Sequence, residues 1–213
     1  MDEGIGLAMA LTLPAAAALM IAPVFLIDAF FTRGEFLPSD AAMSGSALFH
    51  FAWGVPAFVL IKVLAPAFFA REDTKTPMRY ALVSVVINTV LGAGLFFWMK
   101  SNGGAGFIGL AIATSVAAWM NTALLAMTLL ARGWYTPGPR LVSGVMRAAL
   151  ATAIMSAAVW FMLQNLPEIR AELWDSRIAS AAAIVFAGGV IYAFAALLTG
   201  AIRISDIRQA LRR

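Results

Sequence analysis

The 213-residue chain contains no cysteine and a single histidine, His50. Without cysteine it has no disulfide framework and no thiolate metal site, and one histidine cannot form a metal-binding cluster. Charge is scarce as well, because Asp, Glu, Lys and Arg make up only 12% of the residues, whereas a soluble domain has about 25%. Hydrophobic residues make up 62%, and the mean hydropathy is +0.87. This composition excludes an ordinary soluble domain and predicts an integral membrane protein.

The catalytic patterns of known membrane enzymes are also missing from the sequence. The acidic pair Glu72-Asp73 lies beside Arg71 and Lys75 and does not resemble the aspartate-rich motifs that hold magnesium on a pyrophosphate. One histidine cannot supply a His-Glu-x-x-His zinc helix, and no Gly-x-Ser-x-Gly nucleophile elbow is present. We therefore predict no catalytic residue, no metal and no cofactor.

What the chain does have is a series of long apolar stretches. Each is long enough to cross a hydrocarbon core of roughly 30 Å, which takes about 20 helical residues. None alternates apolar and polar residues as a barrel strand does. Because Met-Asp-Glu at the start is acidic, we interpret the first stretch as a span rather than a signal peptide. The fold class predicted is all-α, a polytopic bundle of six transmembrane helices: Ile5–Phe31, Ser44–Ala70, Tyr80–Met99, Gly106–Ala131, Val142–Leu163 and Ile178–Thr199.

The distribution of lysine and arginine indicates the orientation. These residues sit in short loops rather than on one soluble face, so we predict no nucleic-acid partner. With the amino terminus inside, four of them lie in outer segments: Arg33, Lys100, Arg170 and Arg177. Ten lie on the inner side: Arg71, Lys75, Arg79, Arg132, Arg140, Arg147, Arg203, Arg208, Arg212 and Arg213. This bias predicts that both termini are cytoplasmic, with Trp174 as an interface anchor in the last outer turn.

Four prolines fall inside the first two apolar stretches. Pro14 and Pro23 are expected to interrupt the first helix, and Pro56 and Pro66 the second, because proline removes a backbone donor and clashes with the preceding turn. Such breaks are frequent in transporters that rock between two states. Membrane helices are also richer in proline in general, so both interpretations stay open.

A longer motif points to a family. The segment GVPAFVLIKVLAPAFFAREDTKTPMR, from Gly54 to Arg79, resembles the signature of the MurJ/MviN lipid II flippase family, within the superfamily of multidrug and oligosaccharidyl-lipid exporters. Two shorter segments support the resemblance. FFTRGEF resembles the turn in which that family has an aromatic and Arg-Gly-x-Phe, and YTPGPR resembles its cytoplasmic connector.

The resemblance extends over the chain but covers only the last part of the family. Family members have two six-helix lobes and a final helix pair, and this chain resembles the last six of those helices. It implies that residues 1–135 form four helices of the second lobe. Residues 136–213 would form the last helix pair with a basic tail. The first lobe would be missing here, and a separate upstream chain is a candidate partner that supplies it.

The function implied by the resemblance is that of a lipid II flippase fragment in the bacterial plasma membrane. Such a protein translocates a polyprenyl-pyrophosphate-linked peptidoglycan precursor from the inner to the outer leaflet by alternating access, without being an enzyme. Membrane lipid is the other expected partner. Two alternatives remain open: a membrane scaffold or truncated remnant that transports nothing, and an exporter of another lipid-linked glycan.

Candidate substrate-binding residues are the cations of the motif. Lys62 lies inside the second apolar stretch, so its ammonium either snorkels to the interface or meets a phosphate in a hydrated cavity. Arg71 and Lys75 follow it, and they either obey the positive-inside rule or attract an anionic headgroup. The motif also has a structural part. We expect Asp73, Thr74, Thr76 and Pro77 to form a turn that caps the third helix, and Pro56 and Pro66 to bend the second.

Two asparagines lie inside predicted helices. Asn88 and Asn121 are interpreted either as hydrogen-bonding groups between helices or as oxygen donors to a coupling cation.

Overall fold

The described part of the chain is helical. The computed structural model describes residues 1–172 and 176–200, and this part contains no strand. The helices are α1 (Asp2–Ile21), α2 (Pro23–Phe31), α3 (Pro38–Ala52), α4 (Val55–Phe69), α5 (Lys75–Ser101), α6 (Gly106–Ala131), α7 (Pro139–Gln164), α8 (Leu166–Glu172) and α9 (Arg177–Thr199). Trp174 and the arginines of the predicted tail lie outside the described residues.

The predicted number of membrane spans is confirmed in the described ranges. Six segments are long and apolar enough to cross a membrane: α1, α3 together with α4, α5, α6, α7 and α9. The fourth span has the bounds predicted from the sequence, whereas the third begins at Lys75 rather than Tyr80. The last outer turn was predicted from Pro167 to Arg177, and the first part of it was wrong, because short α8 (Leu166–Glu172) lies there. Pro167 is the second residue of α8, a position that suits proline.

The first two predicted stretches are each broken once. The breaks lie beside Pro23 and Pro56, and not at Pro14 or Pro66. The first breaks at Ala22, and Pro23 begins α2. The second breaks at Trp53 and Gly54, just before Pro56. Pro14 and Pro66 lie inside α1 and α4, which continue through them, so a kink at these two prolines stays a prediction. A proline removes one hydrogen bond, and the helix around it keeps the others.

Helix α6 is the centre of one group of helices. It packs against α3, α4 and α5, and much of its surface is buried through small residues. The approach of α5 is close: a Cβ on Gly109 would come within 2.7 Å of the Leu95 Cβ. Leu64 and Phe68 of α4 form an apolar core with Leu125 and Leu129 of α6.

A second group consists of α7 and α9, which share an apolar core of their own. Met155 and Val159 of α7 pack there with Ile184 and Tyr192 of α9. Helix α1 touches both groups, because it packs against α3, α4 and α7. The Tyr192 hydroxyl donates a hydrogen bond to the Ala10 carbonyl of α1. The first helix therefore connects the two groups.

Candidate functional site

The turn between α4 and α5 is held by Asp73. Its carboxylate accepts hydrogen bonds from the Thr76 N–H (3.0 Å) and the Thr76 hydroxyl (2.7 Å). It also pairs with the Arg132 guanidinium at 2.7 Å. Thr74 immediately precedes α5 and Pro77 is its third residue, so all four residues of the predicted turn lie at the start of this helix. The two bonds from Thr76 and the one from Arg132 lower the pKa of Asp73 to about 2.

Two guanidinium groups contact the Trp134 indole beside this turn. The Arg71 guanidinium carbon is 5.0 Å from the centre of the Trp134 ring, and that of Arg132 is 4.7 Å from it. Arg71 also donates to the carbonyls of Ala67 (3.0 Å) and Trp134 (3.2 Å). Such cation–π contacts bind the turn to the connector between α6 and α7. Arg71 is thus engaged within the protein, whereas Lys75 is exposed.

Trp134 did not emerge from the sequence analysis. The only signal that could have revealed it is its place beside a basic residue, in Arg132-Gly133-Trp134 just before the YTPGPR connector. Its partner Arg71 is 63 residues away along the chain. No local pattern predicts a contact over that separation.

The start of α1 joins the same end of the bundle. The Tyr135 hydroxyl donates to the Asp2 carboxylate, and the Gly138 N–H donates to it at 2.9 Å. Burial and the neighbouring carboxylate raise the pKa of Tyr135 to about 12. The start of α1, the α4–α5 turn and the α6–α7 connector therefore lie on one side of the protein. Which side of the membrane this is stays a prediction.

Lys62 lies away from that end, on an exposed stripe of α4. Phe58, Pro66 and Phe69 are four and seven residues from it, share its face and are exposed like it. The opposite face, with Leu60 and Leu64, is buried. At 1.5 Å per residue, Lys62 lies about 10 Å before the last residue of α4. Among the described residues it has no ion pair, and the structure does not bring it together with Arg71 and Lys75.

The two asparagines lie at different levels of the α5–α6 pair. Asn88 of α5 accepts a long hydrogen bond of 3.4 Å from the Thr114 hydroxyl. Both residues line a shallow groove of about 500 Å³ with Thr89, Ala93, Phe96 and Leu110. Asn121 is buried on α6, and its side-chain oxygen has no hydrogen-bond partner in the described part of the chain. It lies seven residues, about 10 Å, beyond Thr114, so the structure does not bring the two amides together.

The chain is similar to known proteins of one family. A model of the family described as lipid II flippase MurJ matches residues 1–169. The chain is 37% identical over 214 residues to a probable lipid II flippase MurJ of Vibrio cholerae, covering 99% of this chain and 39% of that relative. A similar relative from Rhizobium meliloti is 37% identical and covers 95% of this chain. The chain thus spans about two fifths of the length of the curated relatives it matches.

One solved structure supports the fold. It is titled lipid II flippase MurJ, inward closed conformation, and it matches with a TM-score of 0.67 at 18% identity. The match covers all of this chain and 39% of the solved one. At this identity the likeness supports the helical arrangement alone.

Proposed function

We propose, from the premise that the chain belongs to the lipid II flippase MurJ family, that it is part of a transporter for a lipid-linked peptidoglycan precursor. The observation that carries this proposal is the family match over residues 1–169. The transporter would lie in the bacterial plasma membrane and move its substrate from the inner to the outer leaflet. Residues 1–135 would form part of one lobe, and residues 136–213 the last helix pair and its tail. A first lobe, from the same or another chain, would complete the cavity.

Lys62 is the residue that we assign to the pyrophosphate of the substrate. A lysine at the centre of a bilayer costs about 2.5–3.5 kcal/mol on insertion scales. Lys62 lies about 10 Å from the end of α4, so its cost is lower than this but still favours a compensating role. Its exposure on α4 supports that role, because the ammonium remains accessible to a ligand. A phosphate oxygen would accept a charge-assisted hydrogen bond from it.

The other candidate residues have secondary roles in this proposal. Lys75 is exposed at the end of the bundle, where it would attract the anionic headgroup before it enters. Arg71 would act beside it mainly by holding the turn, since it is bonded to the connector. Asn88 and Asn121 would either bond neighbouring helices, as Asn88 does with Thr114, or contribute oxygen atoms to a coupling cation. Pro56 and Pro66 would shape α4 around Lys62.

The experiment uses a chimera, because the chain spans only part of its relatives. Residues 1–213 replace the matching part of the Vibrio cholerae relative, and the chimera is expressed in cells depleted of their own flippase. We expect Lys62→Met to abolish growth at normal membrane abundance, since it removes the charge. Lys62→Arg keeps the charge and should retain part of the activity.

A matched control is Lys100, in the last turn of α5. Lys100 is exposed and lies near the end of that helix, so Lys100→Met removes the same group outside the proposed site. Growth should persist with this variant. Normal growth with Lys62→Met at equal abundance would refute the assignment and leave Lys62 as a snorkelling lysine.

A further inference from the structure

The break between α3 and α4 leaves main-chain groups without their usual helical partners. The Gly54 N–H donates to Phe51 at 3.0 Å instead of to the His50 carbonyl, which lies four residues before it. Pro56 has no N–H, so it cannot donate to the Ala52 carbonyl. Unpaired carbonyls are costly inside a bilayer, where no water can replace the lost bond.

Three side chains of α6 donate to carbonyls on the two sides of this break, and one of them reaches the freed carbonyl of His50. The Ser115 hydroxyl donates to His50 at 2.7 Å, and the Trp119 indole N–H donates to Trp53 at 2.9 Å. The third is the Thr122 hydroxyl, which donates to Ala57 at 3.0 Å. The donors are spaced by four and three residues, so they form one row on α6. We call Ser115, Trp119 and Thr122 the donor row.

The backbone at the break touches α6 directly. A Cβ on Gly54 would come within 2.9 Å of the Ser115 Cβ and 3.1 Å of its Cα. Only glycine allows this approach, which brings the His50 carbonyl within reach of the Ser115 hydroxyl. Ser115 itself is fully buried. The close contact and the hydrogen bonds therefore act at the same place.

The break between α1 and α2 differs from this one. At Ala22 the described hydrogen bonds are backbone bonds, from Ala22 to Ala18 (3.1 Å) and from Leu26 to Ala22 (2.9 Å). No side chain of another described helix donates to the carbonyl of Ala22. The row of donors is thus a specific feature of the α3–α4 break rather than a general consequence of a broken helix.

We infer that the donor row consists of positioning residues, which hold α4 at one angle to α3 and in one rotation against α6. The rotation directs the stripe of Phe58, Lys62, Pro66 and Phe69 away from α6. The α3–α4 break is therefore a fixed junction that moves together with α6 and is not a hinge. Its importance for transport rests on the proposed function, but the junction itself does not.

The test measures the distance across the break with two spin labels. The chain has no native cysteine, so Met43→Cys in α3 and Phe69→Cys in α4 give one labelled pair across the break; both positions are exposed. A continuous helix would place these residues about 39 Å apart at 1.5 Å per residue, which lies within the range of the method. Double electron–electron resonance on the 213-residue chain in lipid nanodiscs should show one narrow distance.

Removing the donors should broaden the distance distribution. We expect the ratio of displaced to held arrangements to increase about threefold for each bond lost, since interhelical hydrogen bonds in membranes are worth about 0.6 kcal/mol. Thr122→Val removes one donor, Ser115→Ala with Trp119→Phe removes the other two, and all three changes together give the triple variant. Thr122→Ser keeps the hydroxyl and should keep the narrow distance. The single change Thr122→Val keeps the test valid if the triple variant does not fold.

A matched control comes from α5. The Thr89 hydroxyl donates to Val85 of its own helix at 2.9 Å, so Thr89→Val removes a hydroxyl that bridges no helices. An unchanged narrow distance in folded Thr122→Val and triple variants would overturn the inference. Equal broadening with Thr122→Ser or Thr89→Val would overturn it as well. Growth is not measured, so failure of the transport proposal leaves this result interpretable.

Discussion

At the scale of single residues, Asp73 organises the end of the bundle where α4 meets α5. It accepts both hydrogen bonds of Thr76 and the ion pair of Arg132. Arg132 in turn contacts the Trp134 ring, which Arg71 contacts as well. One carboxylate thus connects the start of α5 to the connector that follows α6.

Replacing Asp73 by alanine should destabilise the chain in a pH-dependent way. Loss of a capping carboxylate is expected to lower Tm by about 2–4 °C near neutral pH. The pKa of Asp73 falls from 3.8 to about 2 in the folded state. A depressed pKa stabilises the fold above the unfolded value, and this contribution is lost as pH falls toward the folded value. The difference in Tm between the parent and Asp73→Ala should therefore be constant from pH 7 to about 5 and shrink below about pH 4.

Thermal unfolding in detergent across this pH range is the measurement. Glu72→Ala is the control, because Glu72 is the exposed carboxylate next in sequence and its removal should change Tm little. A difference in Tm that grows as the pH falls from 4 to 3 would contradict the assigned pKa.

At the scale of helices, contacts at three levels join the first helices to the last pair. Asp2 binds Gly138 at one end, Tyr192 binds Ala10 in the middle, and Arg177 pairs with Asp28 of α2 at 3.1 Å at the other end. Asp2 contacts Gly138 and Arg71 contacts Trp134, so the α4–α5 turn and the α6–α7 connector lie at the same end of the bundle as the start of α1. The loops at Arg33 and Lys100 lie at the other end, because one span separates each of them from this end.

Cysteine labelling can determine which side is cytoplasmic. Single cysteines at Ser39 and Ser101 should react with an impermeant reagent in intact cells, and cysteines at Thr74 and Ser143 should not. The excess of lysine and arginine on the side of Thr74 and Ser143 predicts that this side is cytoplasmic. All four residues are exposed, whereas Thr76 is bound to Asp73 and would be a poor site. Labelling of the Thr74 cysteine in intact cells would contradict the predicted orientation. Labelling in permeabilised cells is the control that each cysteine can react.

At the scale of the whole molecule, the chain corresponds to about two fifths of the relatives that it matches. Alternating access needs two bodies that move around a shared site. In the proposed arrangement, the described helices belong to one of those bodies and to the last helix pair. The substrate cavity would need further helices opposite the Lys62 stripe.

Expressed alone, residues 1–213 should insert into the membrane without moving lipid-linked precursor. The measurement is the accessibility of the precursor in the outer leaflet of cells depleted of their own flippase. Membrane abundance of the chain confirms insertion, and the chimera with the Vibrio cholerae relative serves as the positive control. Restored accessibility with the isolated chain would show that one body is sufficient and contradict the two-lobe proposal.

The sequence by itself determined the number of spans and the family, because both depend on local information. Whether a segment of about 20 residues enters a bilayer depends on its own composition, and the motif from Gly54 to Arg79 is contiguous. Only the tertiary structure decided that α3 and α4 break at Gly54 while Pro14 and Pro66 stay inside helices. It also decided that Arg71 binds Trp134 and that Ser115 binds His50, 63 and 65 residues apart. Such contacts depend on which helices pack together, and composition along one helix does not contain that information.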